Sequence, residues 1–545
     1  MQRHQPTAAE STGEHIATIQ TTSPLTRFRL READRDRLIK CLCALALAIA
    51  IALYVVAYSS LSIAAYRTGH TLFDLALFEQ SFWNAARGTL FSVSLEVTRP
   101  DLVAQMSHFG RHFSPIFFLL LPFYALHQQP STLLVLQSVA LGGAAIPLYL
   151  FGRHRLGSSP LALVFALLYL ANPAIHDVNT VNEFHELAFV VPLIFFAFYA
   201  IETERWMLYG IAVLGMLMVK EDVALEVIAL GLYVALIARR RRIGVVTMLA
   251  GGIWFVLAVL VIIPVFRGPN GPIPFLGYDY LGHGIGGIAS GVFTRPAALW
   301  HVVTAAPKLR YLFWLGIPVA FLALVAPEVL AVAAPPLLIV LASTFPLTYA
   351  IYAQYVAPIV PVVFIAAVIG LNRAQRLIAR LDLARSARLA ITSALLLALF
   401  AGTLFAQLQL HKFPTHLIYP TTPDPQVAAA LSIIDALPPT ASIVSEDHRW
   451  LAHLANRRHL YVLSAHSPQA DYILTNGIAM KPITNYTEQD RTAAIERIRA
   501  SGDYERFECE GGFVLYATKG AIEGDEPHFS CIVHDTRTDV AAAGQ

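Results

Sequence analysis

Charge is what this sequence has least of. Only 14% of its 545 residues are Asp, Glu, Lys or Arg, and 39 basic against 37 acidic side chains leave a net charge of +2. An average soluble domain is about 25% charged. A chain that is 56% apolar, folded in water, would expose large apolar patches, which soluble monomers avoid. The same composition excludes a disordered chain. The near-neutral balance leaves no basic footprint for nucleic acid. Cysteine is scarce too. Four are too few for a disulfide scaffold or a zinc ribbon. Cys41 and Cys43 lie in an apolar run, whereas Cys509 and Cys531 lie in a polar C-terminal region and pair if that region is exported. No GxSxG, P-loop, CxxC or HExxH is present, so soluble nucleotide chemistry has no support.

What the chain does have is apolar blocks. The first runs from near Ile39 to about Ala65 without a cleavage site, and reads as a transmembrane helix rather than a signal peptide. Ahead of it, residues 1–36 are polar and Arg-rich at their end, the pattern of a disordered cytosolic tail. Further blocks near 131–151, 158–175, 187–203, 206–220, 223–238, 243–265, 309–326, 329–346, 350–371 and 389–409 bring the expected total to about eleven spans. Segment 113–126 is apolar but short and carries Pro115 and Pro122, so it reads as interfacial or re-entrant. The charge distribution agrees: Arg153, Arg155, the run Arg239 to Arg242, and Arg373 to Arg388 share the N-terminal side only if 113–126 does not cross.

The sequence therefore predicts an α-helical polytopic membrane domain over 37–409, with a long first exported loop at 66–130. A small extracytoplasmic α/β domain over 410–520 and a flexible tail over 521–545 follow. In the exported region, 441–444 and 460–463 read as strands, and 425–437, 447–456 and 487–501 as helices. The proposed turn at 220–222 has neither Gly nor Pro, so one continuous tilted helix over 206–238 stays open.

Polar side chains collect on the expected exported face. Asp74 and Glu79, five residues apart, read either as a solvated helix surface or as carboxylates for general-base or metal chemistry. Arg111 and His112 stand at the mouth of the short apolar segment, as interfacial anchors or as an anion site. Asn179, Asn182, Glu183, His185 and Glu186 form a polar connection whose side chains converge only as a loop. Lys220, Glu221 and Asp222, with Glu226 four residues on, allow either an internal ion pair or a polar cavity. Gln354 and Tyr355 precede Pro358 and Pro361 beside other tyrosines, a common interfacial pattern.

Taken together, these residues carry a resemblance. Phe-Asp-Leu-x-x-Phe-x-Gln-x-x-Trp-Asn (73–84), His-Phe-Ser-Pro (112–115), Asn-Glu-Phe-His (182–185) and Lys-Glu-Asp-Val-Ala-Leu (220–225) resemble the membrane-protein family of domain of unknown function 2079. Leu-Pro-Pro-x-Ala-Ser (437–442), His-Leu-Ala-Asn-Arg-Arg (453–458) and Ala-Asp-Tyr-Ile-Leu (470–474) extend the likeness over about 66–520. The layout is similar to the GT-C glycosyltransferases, integral membrane enzymes that use polyprenyl-phosphate sugars. That resemblance implies a GT-C-like fold and an inverting transfer from a polyprenyl-phosphate-linked sugar to a glycan, lipid or protein acceptor outside the cytosol, within the cell membrane.

It also implies roles. Asp74, at the place of the essential acidic residue of the first exported loop, would be the base, with Glu79 as a second catalytic carboxylate. Arg111, His112, Lys220 and Glu221 would form the phosphate-facing group, and Glu183 and His185 would shape the pocket. Tyr355-Val-Ala-Pro-Ile-Val-Pro resembles a family motif in which Gln354 replaces an Arg. No cofactor is implied. No Asp-x-Asp or Asp-Glu pair accompanies Asp74, which argues against a divalent metal. The alternatives are a lipid or glycan transporter, which should show broken mid-membrane helices and repeats, and a non-catalytic scaffold with an exported binding domain.

Overall fold

A computed structural model describes residues 32–71, 73–95, 106–181, 183–268, 277–381, 383–411, 425–464, 467–476, 488–522 and 531–534. Most of the expected cytosolic tail (1–31), most of the expected end tail (523–530 and 535–545) and Asn182 lie outside the described residues. Helix α1 (Glu32–Arg67) has no Gly or Pro in its 36 residues. At 1.5 Å per residue it exceeds the roughly 30 Å hydrocarbon layer. Only 17% of its apolar window is buried against protein, as suits a lipid-facing helix. Gly69, at φ +67°, ends this passage. Helix α2 (Phe73–Ala85) follows and is buried along most of its length. A two-stranded ribbon, β1 (Ser92–Val93) with β2 (Met106–Ser107), leads to α3 (Phe117–Leu126).

Helix α3 has ten residues with Pro122 inside. It is about 15 Å long, half of what a crossing needs. Its entry is pinned by the Ile116 N–H donating to the Met218 carbonyl at 2.8 Å. Next come α4 (Pro130–Gly143), α5 (Ala145–Leu156), α6 (Ser159–Leu170), α7 (Pro173–Thr180), α8 (Val190–Glu202), α9 (Trp206–Val219), α10 (Val223–Leu236) and α11 (Arg241–Leu257).

Not all of the roughly eleven expected spans are single long helices. Among the described residues, five helices are long and apolar enough to cross: 34–67, 130–156, 241–267, 354–380 and 385–410. A sixth is counted if α6 and α7, bent by 45°, form one broken span. The other expected blocks fold as shorter pieces, each for a local reason. Pro173 starts α7 after the Asn172 side chain has accepted from the Ala174 N–H at 3.0 Å. Residues 306–342 break into short helices and 3-10 turns around Pro318, Pro327, Pro335 and Pro336, with Ala320 and Phe321 left-handed. The continuous helix over 206–238 does not form: α9 stops at Val219, and Lys220 is extended (φ −162°, ψ 153°).

Helix α10 lies against α11 at a close approach that only small residues permit. A Cβ on Gly244 would come within 2.5 Å of the Gly231 carbonyl oxygen. This contact holds α10, and the charged turn before it, in a fixed place.

The C-terminal region builds a six-stranded sheet in the order β4-β3-β5-β7-β6-β8. β3 (Ile443–Ser445) runs parallel to β4 (Leu460–Val462) and β5 (Tyr472–Asn476). β6 (Tyr504–Cys509), β7 (Phe513–Thr518) and β8 (Cys531–His534) are antiparallel, and Cys509 and Cys531 are joined by a disulfide between β6 and β8. The expected strands near 441–444 and 460–463 are present, but β5 to β8 extend the sheet beyond them.

This sheet is docked on the first loop. The His453 ring stacks on Tyr66 at 4.2 Å and its Nε2 lies 2.9 Å from the Tyr66 carbonyl oxygen. The Ser94 hydroxyl donates to the Leu460 carbonyl at 2.7 Å and accepts from the Leu460 N–H at 2.9 Å.

Candidate functional site

Asp74 is placed by its helix. It sits in the first turn of α2, where backbone N–H groups lack intrahelical partners. The Glu183 carboxylate supplies one acceptor, taking the Leu75 N–H at 2.6 Å. Glu183 adopts φ +60°, an unfavourable conformation for a residue with a Cβ. Gln137 on α4 holds this bend, donating to the Glu183 carbonyl and accepting from the His185 N–H at 2.7 Å. His185 Nε2 then lies 3.4 Å from the Asp74 carboxylate.

Burial pushes the Asp74 carboxyl up, but the hydrogen bond and charge of His185, with Arg111 and His112, together outweigh it and hold the carboxyl below its usual range. Burial pulls the His185 ring down, but Asp74, Glu186 and Glu183 push it above the usual value. Both shifts favour the ionised pair. Its contribution to stability should be fully present between the unfolded values of about 3.9 for Asp and about 6.5 for His. It is lost as pH rises through the raised His185 pKa, or falls through the lowered Asp74 pKa. Melting curves of wild type and Asp74→Asn should therefore differ at pH 5–6 by about 1 kcal/mol or less and converge at alkaline pH. A difference that grows with pH would contradict this pairing.

The second half of the site comes from the turn between α9 and α10. Glu221 accepts from the Phe113 N–H at 2.9 Å and pairs with His112 Nδ1 at 2.8 Å. Burial and the Lys220 charge hold the His112 ring well below its usual value, and burial raises Glu221. The contact is thus a hydrogen bond from a neutral imidazole rather than an ion pair. The Lys220 ammonium is buried, 3.9 Å from Glu186 and 4.0 Å from Asp222. Burial pulls it down, but Asp222, Glu186 and Glu221 outweigh that and keep it charged. Burial pushes Asp222 up to about 6. Of the two acids expected as ion-pair partners of Lys220, Asp222 is in place and Glu226 is not; Glu186 supplies the second carboxylate.

The two halves meet. His112 lies within electrostatic reach of Lys220, Glu186 and Arg111, and Arg111 and His112 both act on Asp74. Tyr355 lies within reach of Lys220, Asp74, Asp222 and Arg111, with Lys220 6.0 Å from its ring centroid. Gln354 is buried beside it in the same 3-10 turn. Five separated stretches of sequence thus converge around Asp74 and Lys220.

Glu79 is the exception. It is fully buried, accepts from the Tyr124 hydroxyl at 2.6 Å, and its carboxyl is pushed up to about 8 by burial. Five residues along a helix turn it away from Asp74 toward α3, so the expected pair of catalytic carboxylates does not face one space. Asn179 is structural as well, accepting from Ser138 at 3.0 Å and, through its carbonyl, from Ser62 at 2.8 Å. Among the described residues, no three His, Cys, Asp or Glu side chains converge as a metal ion would require.

Two participants carried no readable signal. Gln137 is a lone amide in an apolar helix. His448, from the docked C-terminal region, lies within electrostatic reach of Asp74 with its ring 5.8 Å from Phe73, and burial pulls it below its usual value.

A helical membrane protein with one polar cluster at the ends of several helices is the class these features define. The chain belongs to the predicted membrane protein family DUF2079, whose family model matches residues 64–515. No curated protein matches it. Among solved structures it is similar to ArnT from Cupriavidus metallidurans bound to undecaprenyl phosphate, with 13% identity, a TM-score of 0.47, and coverage of 86% of this chain and 97% of that one. It is also similar to the archaeal oligosaccharyltransferase AglB from Archaeoglobus fulgidus, in complex with an inhibitory peptide and a dolichol-phosphate. There the identity is 11%, the TM-score 0.47, and coverage 89% of this chain and 75% of that chain.

Proposed function

We propose that the protein is an integral membrane glycosyltransferase that moves a sugar from a polyprenyl-phosphate donor to an acceptor on the extracytoplasmic side. The observation that carries this reading is the joining of a half-exposed carboxylate, Asp74, with a buried, charged Lys220, Arg111 and His112 in one cluster. Such a cluster meets the needs of sugar transfer from a phosphate: an acceptor for the hydroxyl proton and cations for the leaving group.

In this reaction the acceptor oxygen attacks the anomeric carbon as the bond to the phosphate oxygen breaks, inverting the centre. Polyprenyl phosphate leaves against Lys220 and Arg111, while neutral His112, its one N–H given to Glu221, holds the Lys220 turn in place beside the phosphate. Asp74, held below the usual carboxylate range, is a weak base. It orients the acceptor hydroxyl and takes its proton late, when the new bond has already acidified it. Glu183, Gln137 and His185 fix its position, and Gln354 and Tyr355 border the donor.

The N-terminus is cytosolic and the C-terminal α/β domain external in this reading. The Cys509–Cys531 disulfide supports that side, because such bonds persist in oxidising compartments. Lipid tails lie along the exposed apolar faces of the long helices. The test is direct: purified protein given undecaprenyl-phosphate sugars and envelope acceptors should release free undecaprenyl phosphate. Donors that stay intact with every acceptor fraction, in protein shown to be folded, would refute the reading.

A further inference from the structure

Beside Asp222, one of the two carboxylates paired with Lys220, is a small cavity. Leu187, Ile339 and Val340 make one wall aliphatic, and Asp222 and Glu226 supply carboxylates. The two acids are four residues apart, so they share one face where α10 begins. Glu226 is 1% exposed, and neither of its carboxylate oxygens has a hydrogen-bond partner. Asp222 Oδ1 is likewise buried without one. Lys220 does not supply the missing donor, since its ammonium lies between Glu186 and Asp222. A carboxylate kept without donors in apolar surroundings is costly unless something pairs with it.

We infer that this cavity binds the primary ammonium group of a ligand, held by Glu226 and Asp222. Resting on the proposed phosphate role of Lys220, the same ligand carries a phosphate on the Lys220 side. A metal ion is a poorer match, because no three ligating side chains converge among the described residues. The enclosed space takes one group about the size of a water molecule, which is the size of a primary ammonium, with the rest of the ligand lying outside it. An amine close to a phosphate occurs in an amino sugar joined to a phosphate and in a phosphoethanolamine headgroup.

The test uses the full chain in detergent and calorimetric titration with soluble probes. Glucosamine 1-phosphate should bind at least about tenfold more tightly than glucose 1-phosphate, the effect of one charge-assisted hydrogen bond. N-acetylglucosamine 1-phosphate, which has lost the charge, should show no such advantage. Glu226→Gln should erase the preference while leaving glucose 1-phosphate affinity unchanged. Phosphoethanolamine matching glucosamine 1-phosphate would point to a lipid headgroup as the source, and much weaker binding to an amino sugar. Equal affinities for the amino, acetylated and hydroxyl probes in the wild-type protein would overturn the inference, and that comparison needs no variant to fold. A preference that survives Glu226→Gln, or no binding of any probe, would overturn it as well. The outcome is separable from that of the transfer assay: donor turnover without amine preference leaves the proposed function standing, and amine preference without turnover leaves only this inference.

Discussion

Asp74→Asn should yield a folded membrane protein that has lost sugar transfer, with the rate down by roughly 10²–10⁴-fold, the usual worth of a positioned acid or base. Asn keeps the size of the side chain and a carbonyl oxygen toward His185, and the position is half exposed, so little stability is at stake. The lost property is proton acceptance at the half-exposed carboxylate near Arg111 and His112. Donor affinity should change far less than turnover, because Lys220 and Arg111 remain. A purified Asp74→Asn variant with near wild-type turnover would remove Asp74 from the chemistry.

Lys220→Ala should have the largest effect on stability. The ammonium stands buried between Glu186 and Asp222, and its removal leaves two carboxylates without their cation. Breaking one side of a buried ion pair costs about 3–5 kcal/mol. Lys220→Arg keeps the charge and should recover much of that loss, though its planar fork does not reproduce the compact geometry of an ammonium. Thermal melts of both variants at neutral pH check this. An alanine variant that melts with the wild type would show that Lys220 is not a structural counter-ion, leaving donor binding as its only role. At low pH, once Asp222 is protonated below about 6, the penalty of Lys220→Ala should shrink.

Much of this was legible in the sequence, for reasons that differ from residue to residue. The first helix was visible because its apolar run is long and unbroken. Segment 113–126 was recognised as too short from its prolines and from the positions of the arginines, and α3 has ten residues. The turn at 220–222 was ambiguous because no Gly or Pro marks it. It forms because Glu186, far away in sequence, compensates Lys220, and because Glu221 accepts from Phe113. Pro-rich stretches such as 327–336 are apolar enough to read as unbroken spans, yet they fold as short helices and turns.

At the site, Glu183 and His185 converge only through a positive-φ bend, which hydropathy does not register. Gln137 and His448 were invisible: a single amide in an apolar helix and a histidine in a distant sheet domain gain meaning only once the fold places them near Glu183 and Asp74. Glu79, five residues from Asp74, is not its ideal neighbour on one helix, and the helix turns it to Tyr124.

The central claim is that the Asp74–Lys220 cluster serves a polyprenyl-phosphate donor, and mass spectrometry of lipid co-purified with the protein tests it most directly. The account predicts a polyprenyl-phosphate species bound to the wild-type protein and depleted in Arg111→Ala, a variant chosen because Arg111 is partly exposed and its loss should spare the fold. Ordinary phospholipid alone in the wild-type preparation, or polyprenyl phosphate retained undiminished by the variant, would contradict it.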